Sequence, residues 1–312
     1  MISIANCAGL FNPQSAWEHL ARPRPPYFAP PTGERTRFER RIMTRTIFSQ
    51  GARLAAAAAF GAALFAGGAV AQNAETTTEA ADEAPAVDPE VVQAVKDMGA
   101  KLRELPAFSI KAALLWEEVF ESGEKTAVIE QVRIDADPPH GLRIERFSEE
   151  RSRIFYFNGE KATLWSPKIR YYADAEFKGT IAEMIAFASE KHDLELPLAD
   201  LFLWGTESDD FDAITAARYV GQTLMGDRVC DHYAFRQEDI DWQIWIEDVE
   251  ALLPCGYMIV DKTDDAHPIF QATVTVTPKT EFADQRFTFA PPEESQRITF
   301  ATAEDMTAKD KK

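Results

Sequence analysis

The amino-acid sequence predicts an α+β domain built on one large antiparallel sheet. Three observations lead to that class: a helical pattern over residues 89–105, period-two alternation in the segments that follow, and more strand patterns after a helical stretch in the middle of the chain. Most of the strand patterns are separated by short turns. Short turns join neighbouring antiparallel strands, so the expected sheet is antiparallel.

The first 71 residues are typical of segments that lie outside a folded domain. Residues 1–42 are rich in Pro and Arg and show no usable apolar period, and we interpret them as an upstream extension. Residues 43–71 combine a basic start, an Ala-rich apolar run and an Ala-Val-Ala site before Gln72. This is the layout of a cleaved secretory signal peptide, with an uncleaved signal anchor as the alternative.

The charge balance excludes two classes of partner. The chain carries 33 Lys and Arg against 51 Asp and Glu, a formal charge of −18. Residues 1–71 hold eight Arg and three Glu, so cleavage leaves 25 basic and 48 acidic side chains, a charge of −23. Such a chain is a poor binder of nucleic acid or of an anionic membrane surface. We expect a periplasmic protein without stable membrane insertion after cleavage.

The mature chain is predicted to contain a single domain. Residues 72–88 are polar and lack aromatic residues, which favours a disordered linker. Asp88 followed by Pro89 is a typical helix start. The domain is placed at 89–300, with a disordered tail at 301–312. The first strands are expected at about 107–119, 125–135, 141–148, 151–158, 160–166 and 168–173.

A helical insert interrupts the strands. Thr180 is the expected cap of a helix that carries Met184 and Phe187, and a second short helix follows Pro197. A third is possible at 209–214. The second series of strands is expected at about 217–225, 228–236, 241–247, 255–262 and 268–277, with short strands around 287–289 and 298–300.

Five sequence blocks stand out in the second half of the chain: Leu-Pro-Leu-Ala-Asp-Leu-Phe at 196–202, Ala-Arg-Tyr-Val-Gly at 217–221, Cys-Asp-His at 230–232, Asp-Trp-Gln-Ile-Trp-Ile-Glu at 241–247 and Phe-Thr-Phe-Ala-Pro-Pro at 287–292. In this order they resemble an uncharacterised family of predicted periplasmic proteins with the lipoprotein-carrier (LolA-like) fold. The resemblance implies a large antiparallel half-open β-barrel closed by a helical lid. Its relatives include carriers of acyl chains, a receptor and a signalling regulator, so it implies the fold more strongly than the activity.

The meander from Cys230 to Val260 predicts one coherent apolar face. Turns centred near 238–239 and 250–251 pair Phe235 with Trp242 and Trp242 with Ile259. This face and the insert supply the candidate hydrophobic-cavity residues Tyr233, Phe235, Trp242, Ile244, Ile246, Tyr257, Ile259, Met184, Phe187, Phe202 and Trp204. In the functional interpretation, the insert is a lid whose Met and aromatic side chains cover a bound apolar molecule. In the alternative, the same residues form only a structural core.

Catalytic and metal chemistry find no support in the sequence. There is no nucleophile-elbow, phosphate-loop or His-rich ligand motif, so we predict no catalytic residues, no metal and no cofactor. On the opposite face of the meander, His232 is expected to stack on Trp245, which also covers Gly256. Acidic pairs such as Glu149-Glu150 fall at turns and are interpreted as solvated surface.

The sequence therefore favours an exported, non-enzymatic binding protein for a hydrophobic small molecule, lipid or lipidated protein. An envelope interaction or regulatory module with a purely structural core is the alternative. The same register places Cys230 opposite Glu247 and Cys255 opposite Ile246, on alternate strands about 10 Å apart. Since a disulfide requires Cα atoms within about 7 Å, both cysteines are expected to be free unless a bulge changes the register.

Overall fold

The computed structural model describes residues 86–147, 152–247, 252–283 and 285–302. The predicted extension 1–42, the signal peptide 43–71, the linker up to residue 85 and the tail from residue 303 lie outside the described residues. Within the described ranges, no helix is long and apolar enough to span a membrane.

The described residues form three α-helices and twelve strands. The helices are α1 (Pro89–Glu104), α2 (Ile181–His192) and α3 (Asp200–Leu203), with a 3-10 turn at Phe211–Ala213 in place of the possible third insert helix. The strands are β1 (Ala107–Val119), β2 (Lys125–Asp137), β3 (Gly141–Phe147), β4 (Arg153–Phe157), β5 (Lys161–Ser166), β6 (Tyr171–Glu176), β7 (Ala216–Met225), β8 (Arg228–Arg236), β9 (Ile240–Glu247), β10 (Pro254–Asp261), β11 (Ile269–Lys279) and β12 (Gln296–Arg297).

The strands form a single sheet in the order β12-β6-β5-β4-β3-β2-β1-β11-β10-β9-β8-β7. Strands β1–β6 are one meander and β7–β11 a second, and the antiparallel pair of β1 and β11 joins them. Only the two-residue β12 is parallel to its neighbour. The order does not close on itself, so the predicted α+β half-open barrel with a helical cover is confirmed.

Local sequence signals act as expected at the element ends. The Asp88 side chain accepts a hydrogen bond from the Glu90 N–H at 2.9 Å, and Thr180 and Glu183 form a reciprocal capping box at α2. In the Asn158-Gly159 turn, the Asn158 side chain accepts from the Lys161 N–H at 2.9 Å. Gly159 has a φ of 87°, which explains the preference for glycine there.

The inner face of the sheet is the one that α1 and the insert cover, where the insert is the segment 180–214. Alternate residues of β1 and β2, including Phe108, Ile110 and Ile134, are fully buried beneath these helices. Gly99 of α1 lies so close to the insert that an added Cβ would stand 2.2 Å from the Trp204 carbonyl oxygen. Arg103 of α1 donates to the carbonyls of Trp204 at 2.7 Å and Gly205 at 3.1 Å. The helix α1 thus holds the insert at this end.

The prediction of two free cysteines is wrong, because Cys230 and Cys255 form a disulfide with a Cα–Cα distance of 6.6 Å. Cys230 does pair with Glu247, but a bulge between Pro254 and Gly256 places Pro254, not Cys255, opposite Ile246. β8 also curls toward the strands beyond β9, since the Arg228 guanidinium donates to the Val274 carbonyl of β11 at 2.7 Å. The prediction assumed a flat sheet in which alternate strands are about 10 Å apart. The curl and the bulge together bring the two cysteines closer than that spacing.

The expected strand around 287–289 is also wrong. Residues 285–297, here called the strap, cross the outer face of the second half of the first meander mostly as turns, and the short final strand lies at Gln296–Arg297. The Phe289 ring lies 5.4 Å from Tyr156, 5.4 Å from Trp165 and 5.1 Å from Tyr172. The alternating Phe-Thr-Phe pattern therefore places aromatic rings on the sheet surface, and this segment does not pair with a neighbouring strand.

Candidate ligand-binding face

The predicted register of the β8–β10 meander is confirmed at its apolar positions. Phe235 pairs with Trp242, Tyr233 with Ile244 and Trp242 with Ile259. The seven predicted meander residues share the inner face, and all but Tyr233 are buried.

Trp242 is the centre of an aromatic stack that joins sheet and insert. Its ring lies 3.9 Å from Phe235 at an interplanar angle of 9° and 5.6 Å from Trp204 at 13°. Trp204 in turn meets Tyr257 edge-on at 5.5 Å. Close parallel packing of large rings buries much apolar area and gives the contact a fixed geometry. Four of the predicted site residues therefore form one interlocked unit.

The remaining insert residues of the predicted set lie elsewhere on the inner face. Phe202 packs 6.1 Å from Phe108 of β1, and Met184 is buried in the core below α2. Phe187, only half-buried, lies 4.6 Å from Phe177, just beyond β6. The structure thus spreads the predicted residues along the whole inner face and does not gather them in one pocket.

A carboxyl group is buried within the aromatic stack. Asp200, at the start of α3, accepts a hydrogen bond from the Tyr257 hydroxyl at 3.4 Å, and both side chains are buried. Burial raises the pKa of Asp200 to about 7, and the nearby carboxylates of Asp210 and Glu195 act in the same direction. Desolvation also raises the pKa of Tyr257. The layer between insert and sheet therefore contains a carboxyl group that favours its neutral form.

The outer face of the same meander has the predicted stack of His232 on Trp245, with ring centroids 4.5 Å apart. Gly256 pairs with Trp245 on the other side, as expected. The His232 Nε2 lies 2.8 Å from the Gln243 side-chain oxygen, which satisfies the imidazole locally. The described part of the chain contains no cluster of three or more His, Cys, Asp or Glu able to hold a metal ion.

A crevice on the inner face of β3–β5 was not predicted from the sequence. It encloses a void of about 20 Å³ between the sheet residues Ile144, Phe155 and Leu164 and the insert segment 194–197. Ile144 pairs with Phe155 and Phe155 with Leu164, so one apolar row crosses three strands. Arg146, Arg153 and Glu195 also line the crevice.

Two arginines and one buried glutamate lie beside this row, and we call Arg146, Arg153 and Glu130 the arginine cluster. Arg146 and Arg153 are directly paired across β3 and β4. Both the Nε, at 2.8 Å, and the Nη2 of Arg146 donate to Glu130 Oε2. Burial raises the pKa of Glu130 to about 7, while the charge of Arg153 lowers it. Strand parity could have found the cluster, since Arg146 shares a face with Ile144 and Arg153 shares one with Phe155.

Comparisons with known proteins identify a family. The family model described as "Predicted periplasmic protein (DUF2092)" matches residues 92–301, which confirms the resemblance seen in the sequence. No curated protein matches the chain.

Solved structures with similar folds have low sequence identity. An uncharacterised conserved protein from Thermus thermophilus is 9% identical with a TM-score of 0.39, over 67% of this chain and 97% of that one. The lipoprotein LppX from Mycobacterium tuberculosis is 10% identical with a TM-score of 0.37, over 60% and 94%. A LolA superfamily protein from Nitrosomonas europaea is 6% identical with a TM-score of 0.34, over 64% and 98%.

Proposed function

Because the chain belongs to the family of predicted periplasmic proteins DUF2092, we propose that it is an exported, non-enzymatic binding protein. It holds a hydrophobic molecule, lipid or lipidated segment between the inner face of the sheet and the helical cover. The signal peptide at residues 43–71 directs export, and the mature chain starts at Gln72.

One observation supports this function above the others: between residues 182 and 209, the bonds from backbone N–H to backbone carbonyl among the described residues stay within the insert. The N–H groups of Phe202, Trp204 and Thr206, for example, donate to carbonyls at 199, 200 and 203. Backbone bonds to neighbouring elements occur at the ends of the insert, from Ile181 to Pro139 and from Thr215 to Arg236. Side chains alone join its middle to the sheet, so the two layers can separate without breaking strand pairing.

The surface that separation would expose is apolar, because the inner face of the sheet carries buried hydrophobic side chains. We assign it to the residues predicted from the sequence: Tyr233, Phe235, Trp242, Ile244, Ile246, Tyr257 and Ile259 on the sheet, and Met184, Phe187, Phe202 and Trp204 on the insert. Met184 and the aromatic rings of the insert contact the bound molecule in place of water, because such apolar side chains adapt to ligands of different shape.

The test is titration of the mature protein with N-phenyl-1-naphthylamine, an uncharged apolar fluorophore, together with mass spectrometry of native extract. We expect saturable binding and a co-purifying amphiphile. Phe187→Gln should weaken binding at least tenfold with little change in Tm, because Phe187 is half-buried at the edge of the insert. Phe120→Gln, at an exposed aromatic outside the inner face, is the matched control. Absence of probe binding and of any co-purifying amphiphile contradicts the proposal.

A separate experiment tests export. N-terminal sequencing of protein released by osmotic shock should begin at Gln72. A full-length product confined to the cytosol contradicts this part of the proposal.

The open edge of the sheet favours a second candidate function, an envelope interaction module with a purely structural core. Strand β7 ends the sheet order, and Val220 and Leu224 on it are 52% and 69% exposed. A partner strand can add to such an edge through backbone hydrogen bonds. Recovery of a single protein partner whose binding is lost on Val220→Lys, from a protein that takes up no fluorophore, supports this candidate over the first.

A further inference from the structure

After the strap, the chain passes around the β6 end of the sheet, from the outer face to the helices that cover the inner face. On the outer face, the strap is anchored at its end by Arg297, whose Nε donates to the Asp174 carboxylate at 2.7 Å. The two-residue strand β12 pairs with the start of β6. The Ile298 N–H then donates to the Tyr172 carbonyl at 2.8 Å, which is the last of these bonds to the sheet.

Beyond this point, segment 298–302 contacts the end of α2. The Phe300 ring lies 4.3 Å from the imidazole of His192, the last residue of α2. The His192 Nδ1 lies 2.9 Å from the Ala301 carbonyl oxygen, and because a carbonyl oxygen only accepts, the imidazole is the donor. His192 is 5% exposed and also meets Phe187 edge-on at 5.2 Å. One aromatic contact and one hydrogen bond therefore join segment 298–302 to the insert.

This contact lies between two attachments of the insert backbone. One is at the start of α2, where the Ile181 N–H donates to the Pro139 carbonyl at 2.8 Å. The other is to α1, at the carbonyls of Trp204 and Gly205. The end of α2 and segment 194–197, which covers the crevice on β3–β5, lie between them. The contact with the C-terminal part of the chain thus ties this intermediate stretch to a strap that is anchored on the sheet.

We propose that segment 298–302 is a latch that keeps the insert closed over the inner face, and that its release lets the insert lift around segment 194–197. The inference rests on the proposed function and adds the step that controls entry and exit of the bound molecule. Release breaks only one half-buried ring contact and one hydrogen bond. The ion pair of Arg297 with Asp174 and the pairing of β12 with β6 keep the strap in place. Contacts of this size permit local opening at a lower free energy than global unfolding.

Thiol labelling of the mature protein tests the latch without any ligand. Ala188→Cys places a thiol on the buried side of α2, since Ala188 is 1% exposed. It is the only free thiol, because Cys230 and Cys255 are joined in the disulfide. We expect Phe300→Ser to speed the reaction of this thiol with iodoacetamide about tenfold, because labelling follows the equilibrium for local opening when closing is fast.

A buried thiol on the sheet is the matched control. Ala272→Cys on β11 is also 1% exposed, and Ala272 pairs with Tyr257 of the aromatic stack. Phe300→Ser should leave its labelling rate unchanged. Equal acceleration of Ala188→Cys and Ala272→Cys overturns the inference, because it would show loosening of the whole domain.

A shortened chain repeats the test without a new side chain in segment 298–302. A chain that ends after Arg297 lacks the latch and should label at Ala188→Cys at least as fast as Phe300→Ser does. A chain that ends after Thr302 keeps the latch and should label like the wild-type length. Unchanged labelling in both Phe300→Ser and the chain that ends after Arg297 overturns the inference.

The release rate of N-phenyl-1-naphthylamine, measured by stopped-flow dilution, links the latch to ligand exchange. Phe300→Ser should accelerate release by the same factor as it accelerates labelling of Ala188→Cys. Faster labelling with an unchanged release rate overturns the role in exchange and leaves the proposed function standing. Labelling that behaves as expected in a protein that binds no fluorophore supports the latch and overturns the proposed function.

Discussion

In the half of the sheet formed by β7–β10, the insert meets the sheet through a stack of large aromatic rings. Over β3–β5, its segment 194–197 meets the row Ile144, Phe155 and Leu164 with charged side chains beside it. We call these the disulfide half and the arginine half. In the disulfide half, Trp242 lies between Phe235 and Trp204, and α1 holds the insert backbone at Trp204 and Gly205. In the arginine half, the irregular segment 194–197 covers a void of about 20 Å³. From this comparison we propose that the insert is fixed at Trp204 and Gly205 and that the layers part around segment 194–197.

The largest effect that tests this comparison is expected at Trp242. Trp242→Ala should lower the free energy of unfolding by about 3–5 kcal/mol, because it removes a fully buried ring from a stack that cannot collapse around the gap. Trp245→Ala is the control on the same strand, since Trp245 is only half-buried and packs on His232 at the outer face. Urea unfolding of both variants measures the difference. Equal losses would show that the aromatic stack has no special role in fixing the insert.

A smaller effect is expected from the disulfide. Cys230→Ser with Cys255→Ser should cost about 3 kcal/mol, because the bond closes a loop over a sequence separation of 25 residues. Thiol counting of the denatured wild type should find neither cysteine free. If the halves behave separately, the variant should keep its affinity for N-phenyl-1-naphthylamine while its urea midpoint falls. A variant that loses both would show that the halves are coupled.

The smallest effect, counted per unit of pH, comes from the buried carboxyl groups of both halves. Asp200 has a pKa of about 7 in the folded protein, against about 4 when unfolded. Its contribution to stability is therefore complete below pH 4 and decreases as the pH rises through 7. The slope is at most about 1.4 kcal/mol per pH unit for each such group. Glu130 acts in the same direction, so Asp200→Asn should reduce the slope without abolishing it.

Urea unfolding between pH 4 and pH 8 measures this slope. Asp212→Asn is the control, because Asp212 is exposed on the 3-10 turn close by in the insert. A slope that is the same in wild type, Asp200→Asn and Asp212→Asn would contradict the buried neutral carboxyl.

The sequence predicted those features that depend on strand parity and turn position. The pairing of Phe235 with Trp242 and of Trp242 with Ile259 follows from locating two turns, and both pairs are present. The disulfide could not be predicted in this way, because it depends on the curl of β8 and on a bulge at Pro254–Gly256. The alternation of side chains along a strand indicates neither the curl nor the bulge.

The arginine cluster was missed for a different reason. Parity within β3 and β4 places Arg146 and Arg153 on the inner face, but the position of Glu130 beside them follows from the pairing of β2 with β3. Likewise, Phe287-Thr288-Phe289 has the alternation of a strand but packs across the sheet in the strap. In both cases the deciding contacts join residues far apart in the chain, so local patterns could not indicate them.

The pairing of β1 with β11 has a consequence for the order in which the chain folds. Within each meander every strand pairs with its sequence neighbour, so hairpins can form early and at low loop-closure entropy. The junction differs, since Trp116 pairs with Phe270, 154 residues further along the chain. We therefore expect the two meanders to begin folding separately. We expect their junction to be the slow step, and until it forms both meanders would expose a long unpaired edge to other chains.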